Sequence, residues 1–271
     1  MKEFAVIGNP VSQSLSPDLH NYVYKHLGID AKYKKIMVQD SELEYIIDDL
    51  KKERLLGVNI TIPHKQKIIK YIDDVSSRAK LIGAINIIYN LNNKLIGDNT
   101  DWLGLSMSLK KNNIGLLNKN VILIGAGGTA KSVIFALKNS GVNKILLLNR
   151  TLKKAVILKD NIIRPFPLNE APNIVNNDSI IINTTSVGMQ SEESPLGSEL
   201  IQRSQIIIDV IYSPLETSII KFGKKVGAKT LNGLDMFIFQ ALASIDLWFG
   251  KNISNKVNFI QLKTYLERKL C

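Results

Sequence analysis

Val121–Ile124 is a short unbroken apolar run, and Gly125, Ala126, Gly127, Gly128, Thr129 and Ala130 follow it at once. A helical spacing of apolar residues then continues to Lys138, and a second apolar run stands at Ile145–Leu148. A strand apolar on both faces belongs in a parallel sheet covered on two sides. The glycines let the chain turn straight from that strand into a helix, and a helix between two parallel strands is a right-handed crossover. No other stretch limits the fold as strongly.

The alternation recurs in both directions. Downstream, strands are expected at Ile180–Asn183, Ile206–Val210 and Lys229–Leu231, with a helix from about Leu215 to Val226 and two last helices over Leu234–Trp248 and Lys256–Leu270. Upstream, Phe4–Ile7, Tyr33–Val38 and Val58–Ile62 read as strands. Between them, Ser16 is the expected N-cap of a helix opened by Pro17, and Ser41 starts a helix carrying Leu43, Ile46, Ile47 and Leu50. A helix over Pro63–Tyr71, a helical turn near Ser76–Leu81 and a hairpin of Ile85–Tyr89 with Lys94–Gly97 complete this half. The fold class is α/β with a mainly parallel sheet in each of two units, divided near Asp101–Gly104, where one helix joins both.

Composition excludes several classes. With 271 residues, 45% hydrophobic and 22% charged, the chain has a normal globular core. It contains no apolar run of membrane-spanning length, and Met1–Gly8 enters a strand pattern without a signal-peptide layout, so a cytoplasmic location is expected. The one cysteine, Cys271, allows neither a disulfide nor a cysteine metal site within a chain. His20, His26 and His64 lack metal-ligand spacing on one helix face, so no metal is expected; His20 and His26 read as ordinary helix residues and His64 as a structural donor. The net charge of +11 is scattered over the helix patterns rather than gathered in a basic, aromatic-laced patch, which argues against nucleic acid and is compatible with an anionic small molecule.

Gly125-x-Gly127-Gly128-x-Ala130 between strand and helix is a dinucleotide fingerprint: the first glycine turns, the second lets the backbone approach the pyrophosphate, and alanine takes the third place. Where an NAD site puts a carboxylate for the ribose 2′-hydroxyl, this chain has Asn149, Arg150 and Thr151, with Lys153 and Lys154 behind. A guanidinium and ammonium groups neutralise a 2′-phosphate, so NADP is expected.

The stretch Gly57–Lys65 carries the candidate chemistry. Val58, Ile60 and Ile62 alternate with Asn59 and Thr61, so the strand presents an amide and a hydroxyl on the face opposite the apolar one. Lys65 falls in the expected first helical turn, where a positive dipole end disfavours an ammonium and a carboxylate partner would favour it. Asp101, in the turn Gly97-Asp98-Asn99-Thr100-Asp101, is the candidate partner; Asp98 reads as an Asx cap.

These motifs stand in the order found in shikimate dehydrogenases, and the chain resembles that family over nearly its whole length. The matching residues are Gly8–Pro17 with His20 and Asn21, Asn59–Lys65, Gly83–Asn86, Gly97–Asp101, the glycine-rich turn, Asn149–Thr151, Asn183–Met189, Asp209 with Tyr212, Pro214 and Thr217, and Gly233–Met236 with Gln240. The resemblance implies a substrate-binding domain of residues 1–101 plus 235–271, with the last helices packed back on it, and a Rossmann-like NADP-binding domain of residues 102–234. It implies NADPH-dependent, reversible reduction of 3-dehydroshikimate to shikimate on the chorismate route.

It further implies that Ser14, Ser16 and Tyr212 hold the substrate carboxylate and that Asn59, Thr61, Asn86 and Gln240 bind its hydroxyls. Lys65 and Asp101 would form the catalytic pair, with Lys65 as proton donor, and both would touch substrate. Thr184, Thr185, Ser186, Met189, Val210, Ile211 and Gly233 would join the glycine-rich turn around the cofactor. The small-molecule substrate is the only partner implied, for a monomer or homodimer. The chain departs from the common pattern at Gln13 (often His), Ile87 (often Thr) and Lys154 (often Arg). Alternatives are a paralogue using quinate with NAD or NADP, an inactive NADP-binding regulator, and a folate dehydrogenase of related architecture.

Overall fold

A computed structural model describes residues 1–250 and 252–270; Cys271 lies outside the described residues. The chain divides into two compact units, Met1–Gly104 with Ile238–Cys271, and Leu105–Phe237. Among the described residues, no helix is long and apolar enough to cross a membrane.

The first unit contains strands β1 (Lys2–Gly8), β2 (Ala31–Met37), β3 (Gly57–Ile60), β4 (Asp74–Val75), β5 (Ile87–Leu91) and β6 (Lys94–Asp98). Its helices are α1 (Ser16–His26), α2 (Leu43–Lys51) and α3 (Ser77–Ile82), and α4 (Asp101–Lys111) begins in it. The strands form one six-stranded sheet in the order β2-β1-β3-β5-β6-β4, parallel except that β5 runs against both neighbours. The β5–β6 hairpin closes through Asn92 and Asn93 at φ 52° and 61°, the left-handed pair that matches strand twist and that Asn tolerates. One sheet face carries Ala5, Ile7, Val58, Ile60 and Ile88 under α2. On the other face, Tyr33, Phe4 and Gly57 stand in register across three strands, and Gly57 leaves room for the Trp248 indole, since a Cβ there would lie 2.1 Å from its Nε1.

The second unit has β7 (Asn120–Ile124), α5 (Gly128–Asn139), β8 (Lys144–Asn149), α6 (Leu152–Val156), β9 (Ile163–Pro167), α7 (Ala171–Ile174), β10 (Ile180–Asn183), β11 (Ile206–Asp209), α8 (Ser218–Val226) and β12 (Lys229–Leu231). Helix α9 (Leu234–Phe249) starts here and ends in the first unit, which also holds α10 (Phe259–Leu270). Six parallel strands run β12-β11-β10-β7-β8-β9, so the chain reverses its direction of travel between β7 and β10. That is the doubly wound order, whose switch point is the usual ligand position. Ile181 and Ile207 lie in the core with Ile122, Ile124 and Ile219. Strand β9, with Pro165 and Pro167, gives no strand signal in sequence; it is tolerated because it is the sheet edge.

Several boundaries differ from the sequence expectation. The third strand ends at Ile60, leaving Ile62 51% exposed. Pro63 opens no α-helix: turns run through Gln66 and only Lys67–Tyr71 form a 3-10 helix. The Lys65 carbonyl accepts the Ile85 N–H (2.9 Å), so it does not feed a helical ladder. The helix dipole invoked for Lys65 is therefore absent. Ser16 is inside α1 rather than its cap; Leu15 stands at the N-cap without a side-chain bond, and the Ser14 hydroxyl accepts the Ser16 N–H at 3.2 Å. Helix α8 starts at Ser218 rather than Leu215, because Thr217 donates its hydroxyl to Asp209 (2.6 Å) and holds the preceding loop. Helix α10 starts at Phe259 rather than Lys256, with Asn258 Oδ1 accepting the Gln261 N–H at 3.1 Å.

Candidate active site

The polar groups of Gly57–Lys65 meet those of Gly97–Asp101 because β3, β5 and β6 are adjacent. Asn59 pairs with Ile87, and Ile87 pairs with Asp98. The Ile85 N–H bond to Lys65 and the Asn86 N–H bond to Asp98 O (3.0 Å) fasten the two loops beyond the strand ends. Lys65 Nζ donates to Asp101 Oδ2 at 2.5 Å, and the two residues are 9% and 6% exposed. A buried ammonium and carboxylate stay ionised only when each compensates the other, so neither is a solvated surface charge.

Asn86 orients this carboxylate. Its Nδ2 donates to Asp101 Oδ1 (2.8 Å), Thr100 Oγ1 (2.9 Å) and Gln240 Oε1 (3.2 Å), while its Oδ1 accepts the Thr100 N–H (2.7 Å). Asn99, not Asp98, caps the turn: its Oδ1 accepts the Asp101 N–H at 3.1 Å. Asp98 is instead a buried anchor. Ser76 Oγ (2.6 Å), Arg78 Nε (2.8 Å) and Arg78 Nη2 all donate to it. The pair is twenty residues apart in sequence, and only the sheet pairing shows it.

Asn59 is buried beside this cluster, donating to Asn86 O (3.1 Å) and Ser244 Oγ (3.0 Å) and accepting from the Tyr33 hydroxyl (2.7 Å). Ser244 also lies 3.3 Å from Thr100 Oγ1. Tyr33, Thr100 and Ser244 join this cluster without having been singled out in the sequence; Thr100 stands within the Gly97–Asp101 turn, whereas Tyr33 on β2 and Ser244 on α9 carry no spacing signal. Thr61 follows β3 and donates its N–H to Ile7 O at 2.9 Å. Ser14 and Ser16 form a hydroxyl pair of their own at 3.0 Å. His64 is buried with Nε2 2.7 Å from Val38 O, a structural contact. Burial pushes His20 down to about 3, so its ring is neutral.

In the second unit, Gly125 has φ +108°, and a Cβ there would lie 2.7 Å from Thr184 Oγ1. The turn after β7 thus closes against the loop after β10, where Thr184 Oγ1 donates to Ile124 O (2.7 Å). Apart from its chain neighbours, nothing stands within 4 Å of where a Gly127 Cβ would be, and the first turn of α5 carries no acidic side chain. An open glycine backbone at the positive end of a twelve-residue helix fits a pyrophosphate. Asn149 Nδ2 donates to Thr151 O (2.8 Å), ordering the turn that carries exposed Arg150, with Lys154 in α6 beyond it. These residues fit a 2′-phosphorylated dinucleotide.

Thr185, Ser186 and Met189 lie in the loop after β10, where Met189 N–H donates to Ser186 O (3.1 Å). Val210 and Ile211 follow β11, and the Gly233 N–H donates to Ile211 O (2.9 Å). Asp209 connects these loops: it accepts from Asn183 Nδ2 (3.1 Å) and the Ile211 N–H (3.0 Å) as well as Thr217. Burial outweighs those bonds and pushes its carboxyl up to about 6. Tyr212 stacks on Phe237 (4.2 Å between ring centres) within this unit.

Comparison with known proteins matches residues 6–88 to the shikimate dehydrogenase substrate binding domain and residues 108–214 to shikimate / quinate 5-dehydrogenase. The shikimate dehydrogenase (NADP(+)) of Pelagibacter ubique (strain HTCC1062) is 42% identical over 252 residues, 91% of this chain and 93% of that protein. The crystal structure of shikimate dehydrogenase from Aquifex aeolicus has a TM-score of 0.89 at 33% identity, covering 98% of this chain and 97% of its own. The Thermus thermophilus shikimate 5-dehydrogenase, solved in complex with NADP(H) and shikimate, gives 0.86 at 31% identity over 100% of both chains. Motif order, doubly wound topology and end-to-end likeness agree: the chain belongs to the shikimate dehydrogenase family of NADP-dependent oxidoreductases.

Proposed function

We propose that this chain catalyses the reversible reduction of 3-dehydroshikimate to shikimate, toward chorismate and the aromatic amino acids, with Lys65 and Asp101 as the catalytic pair. The observation that carries the assignment is their buried 2.5 Å contact, braced by Asn86. Bound NADPH supplies the hydride that reduces the ketone carbon. The carbonyl oxygen must gain a proton in the same conversion, and the Lys65 ammonium donates it, leaving a neutral amine that solvent reprotonates. Asp101 holds Lys65 in place for the transfer. In the reverse direction the amine takes the proton from the alcohol.

Ser14 and Ser16, with Tyr212, are assigned to the substrate carboxylate, and Asn59, Thr61, Asn86 and Gln240 to its hydroxyls. The polar atoms of Asn86 are already engaged by Asp101, Thr100 and Gln240, so its main service is to aim the Asp101 carboxylate. Gly125–Ala130 cradle the pyrophosphate, and Asn149, Arg150, Thr151 and Lys154 take the 2′-phosphate, which favours NADP over NAD. Thr184, Thr185, Ser186, Met189, Val210, Ile211 and Gly233 line the nicotinamide end. The enzyme acts in the cytoplasm on a small molecule, as a monomer or homodimer, without nucleic acid or membrane as partner.

The test is NADP⁺ reduction with shikimate and with quinate, each also run with NAD⁺, in the wild type and in Lys65→Ala. Shikimate with NADP⁺ is expected to be preferred. Lys65→Ala should lower kcat by roughly 10²- to 10⁴-fold, the usual contribution of a proton-transfer group, with NADP⁺ affinity unchanged. Undiminished turnover would remove Lys65 from the chemistry, and a preference for quinate with NAD⁺ would overturn the substrate assignment.

A further inference from the structure

Asn59 has two N–H donors and one oxygen with two lone pairs. Both donors are engaged, by the main-chain oxygen of Asn86 at 3.1 Å and by Ser244 Oγ at 3.0 Å. The orientation of the amide follows from its neighbours rather than from an arbitrary choice. A main-chain carbonyl only accepts, so the NH₂ end must face Asn86 O. Ser244 presents a lone pair because its own proton goes to Gln240 O at 3.0 Å. The oxygen end therefore faces Tyr33, whose hydroxyl donates to it at 2.7 Å.

The Tyr33 ring is itself fixed. It is buried, and His20 lies flat against it, with ring centres 4.0 Å apart and planes 5° from parallel. His20 is fully buried and neutral, so the stack brings no charge that would compete for the amide oxygen. Tyr33 stands on β2, two strands from Asn59, and its side chain reaches over β1 because register puts Tyr33, Phe4 and Gly57 on one face, which Asn59 shares two residues on.

We propose that Tyr33 and Ser244 are positioning residues that lock Asn59 with one free oxygen lone pair and no free N–H, so that the group of the substrate meeting Asn59 must be a hydrogen-bond donor. This deepens the substrate assignment above and rests on it. A hydroxyl satisfies Asn59; a ketone, an ether or a missing oxygen at that place does not. The site thus distinguishes a ring hydroxyl from its oxidised or methylated counterpart by polarity rather than by size, and the discrimination is fixed before any ligand arrives.

The experiment uses the full-length enzyme with shikimate and with two deoxy analogues, each lacking one of the hydroxyls that do not react. In the wild type, one analogue should show kcat/KM lowered by about tenfold or more, since an unpaired site group forfeits a hydrogen bond to the ligand. Tyr33→Phe keeps the ring and the His20 stack and deletes only the hydroxyl. It is expected to raise KM for shikimate about tenfold with kcat within about twofold and NADP⁺ affinity unchanged, and to shrink the penalty on the sensitive analogue to about threefold or less. Ser244→Ala, which frees the other side of the amide, should shrink the same penalty, and it serves if Tyr33→Phe does not fold. Equal losses on shikimate and both analogues would make Tyr33 merely structural and overturn the inference, as would wild-type discrimination in both variants. Asn59→Ala separates the two levels: if it leaves KM for shikimate unchanged, the substrate assignment of Asn59 has failed; if it raises KM while Tyr33→Phe and Ser244→Ala are silent, only the locking has.

Discussion

Replacing Arg78 with Ala deletes the cation that faces the buried carboxylate of Asp98. Asp98 accepts four hydrogen bonds, from Ser76 Oγ (2.6 Å), Asn99 N–H (2.7 Å), Arg78 Nε (2.8 Å) and Arg78 Nη2. The substitution removes two of them and leaves the charge uncompensated, a loss of about 3–5 kcal/mol in a fully buried pair. The Arg78 side chain is 43% exposed while that of Asp98 is 1% exposed, so water can enter behind the truncated residue, and about 2–3 kcal/mol is the expected loss. Alanine is a good helix former, so α3 itself contributes no penalty.

Trp102 and Trp248, the two tryptophans, both belong to the first unit, so urea unfolding followed by tryptophan fluorescence reports that unit. Arg78→Lys keeps the charge but not the fork, and should fall between. Asp98 also precedes Asn99, Thr100 and Asp101, so Arg78→Ala should lower kcat/KM for shikimate with NADP⁺ binding unchanged. A destabilisation below about 0.5 kcal/mol would refute the view that Asp98 is a buried charge depending on Arg78.

Gly125→Ala places a Cβ where φ is +108° and Thr184 Oγ1 is 2.7 Å away, so NADPH affinity, read by its fluorescence on titration, should weaken by about tenfold or more. Unchanged affinity would show that the turn relaxes freely. Asp209, whose carboxyl is pushed up to about 6 from an ordinary 3.8, binds its proton more tightly folded than unfolded. The associated stability is full below the unfolded value and is lost as pH rises through about 6, so going from pH 7.5 to 5 should stabilise the second unit by roughly 1 kcal/mol more in the wild type than in Asp209→Asn. Amide exchange of β11 at the two pH values measures this, and equal pH responses would sink it.

The family resemblance was legible because its motifs are local. A glycine-rich turn between strand and helix, Asn149–Thr151 after the next strand, and Gly97–Asp101 each sit on consecutive residues, where spacing carries the signal. The apolar residues Val121–Ile124, Ile180–Ile182 and Ile206–Ile208 announced a buried parallel sheet for the same reason, since burial on both faces demands continuous apolar sequence. Strand β9 escaped because its prolines contradict a strand everywhere except at an edge, and edge position is a property of the assembled sheet.

By itself the sequence determined the alternation of strands and helices, the glycine-rich turn after β7 and the basic residues after β8, and it offered Lys65 and Asp101 as candidates. Tertiary structure alone decided that those two meet. Periodicity put Lys65 on a helix, but its carbonyl turns sideways to Ile85 and the helix never forms, so a carboxylate thirty-six residues away, not a dipole, sets its surroundings. It also decided what Asn59 can offer. An amide can donate or accept, and which it does depends on a tyrosine two strands away, a serine on α9 and a main-chain oxygen of Asn86. Local sequence fixes which groups are present; only sheet order and register fix which of their hydrogen-bonding sites remain free.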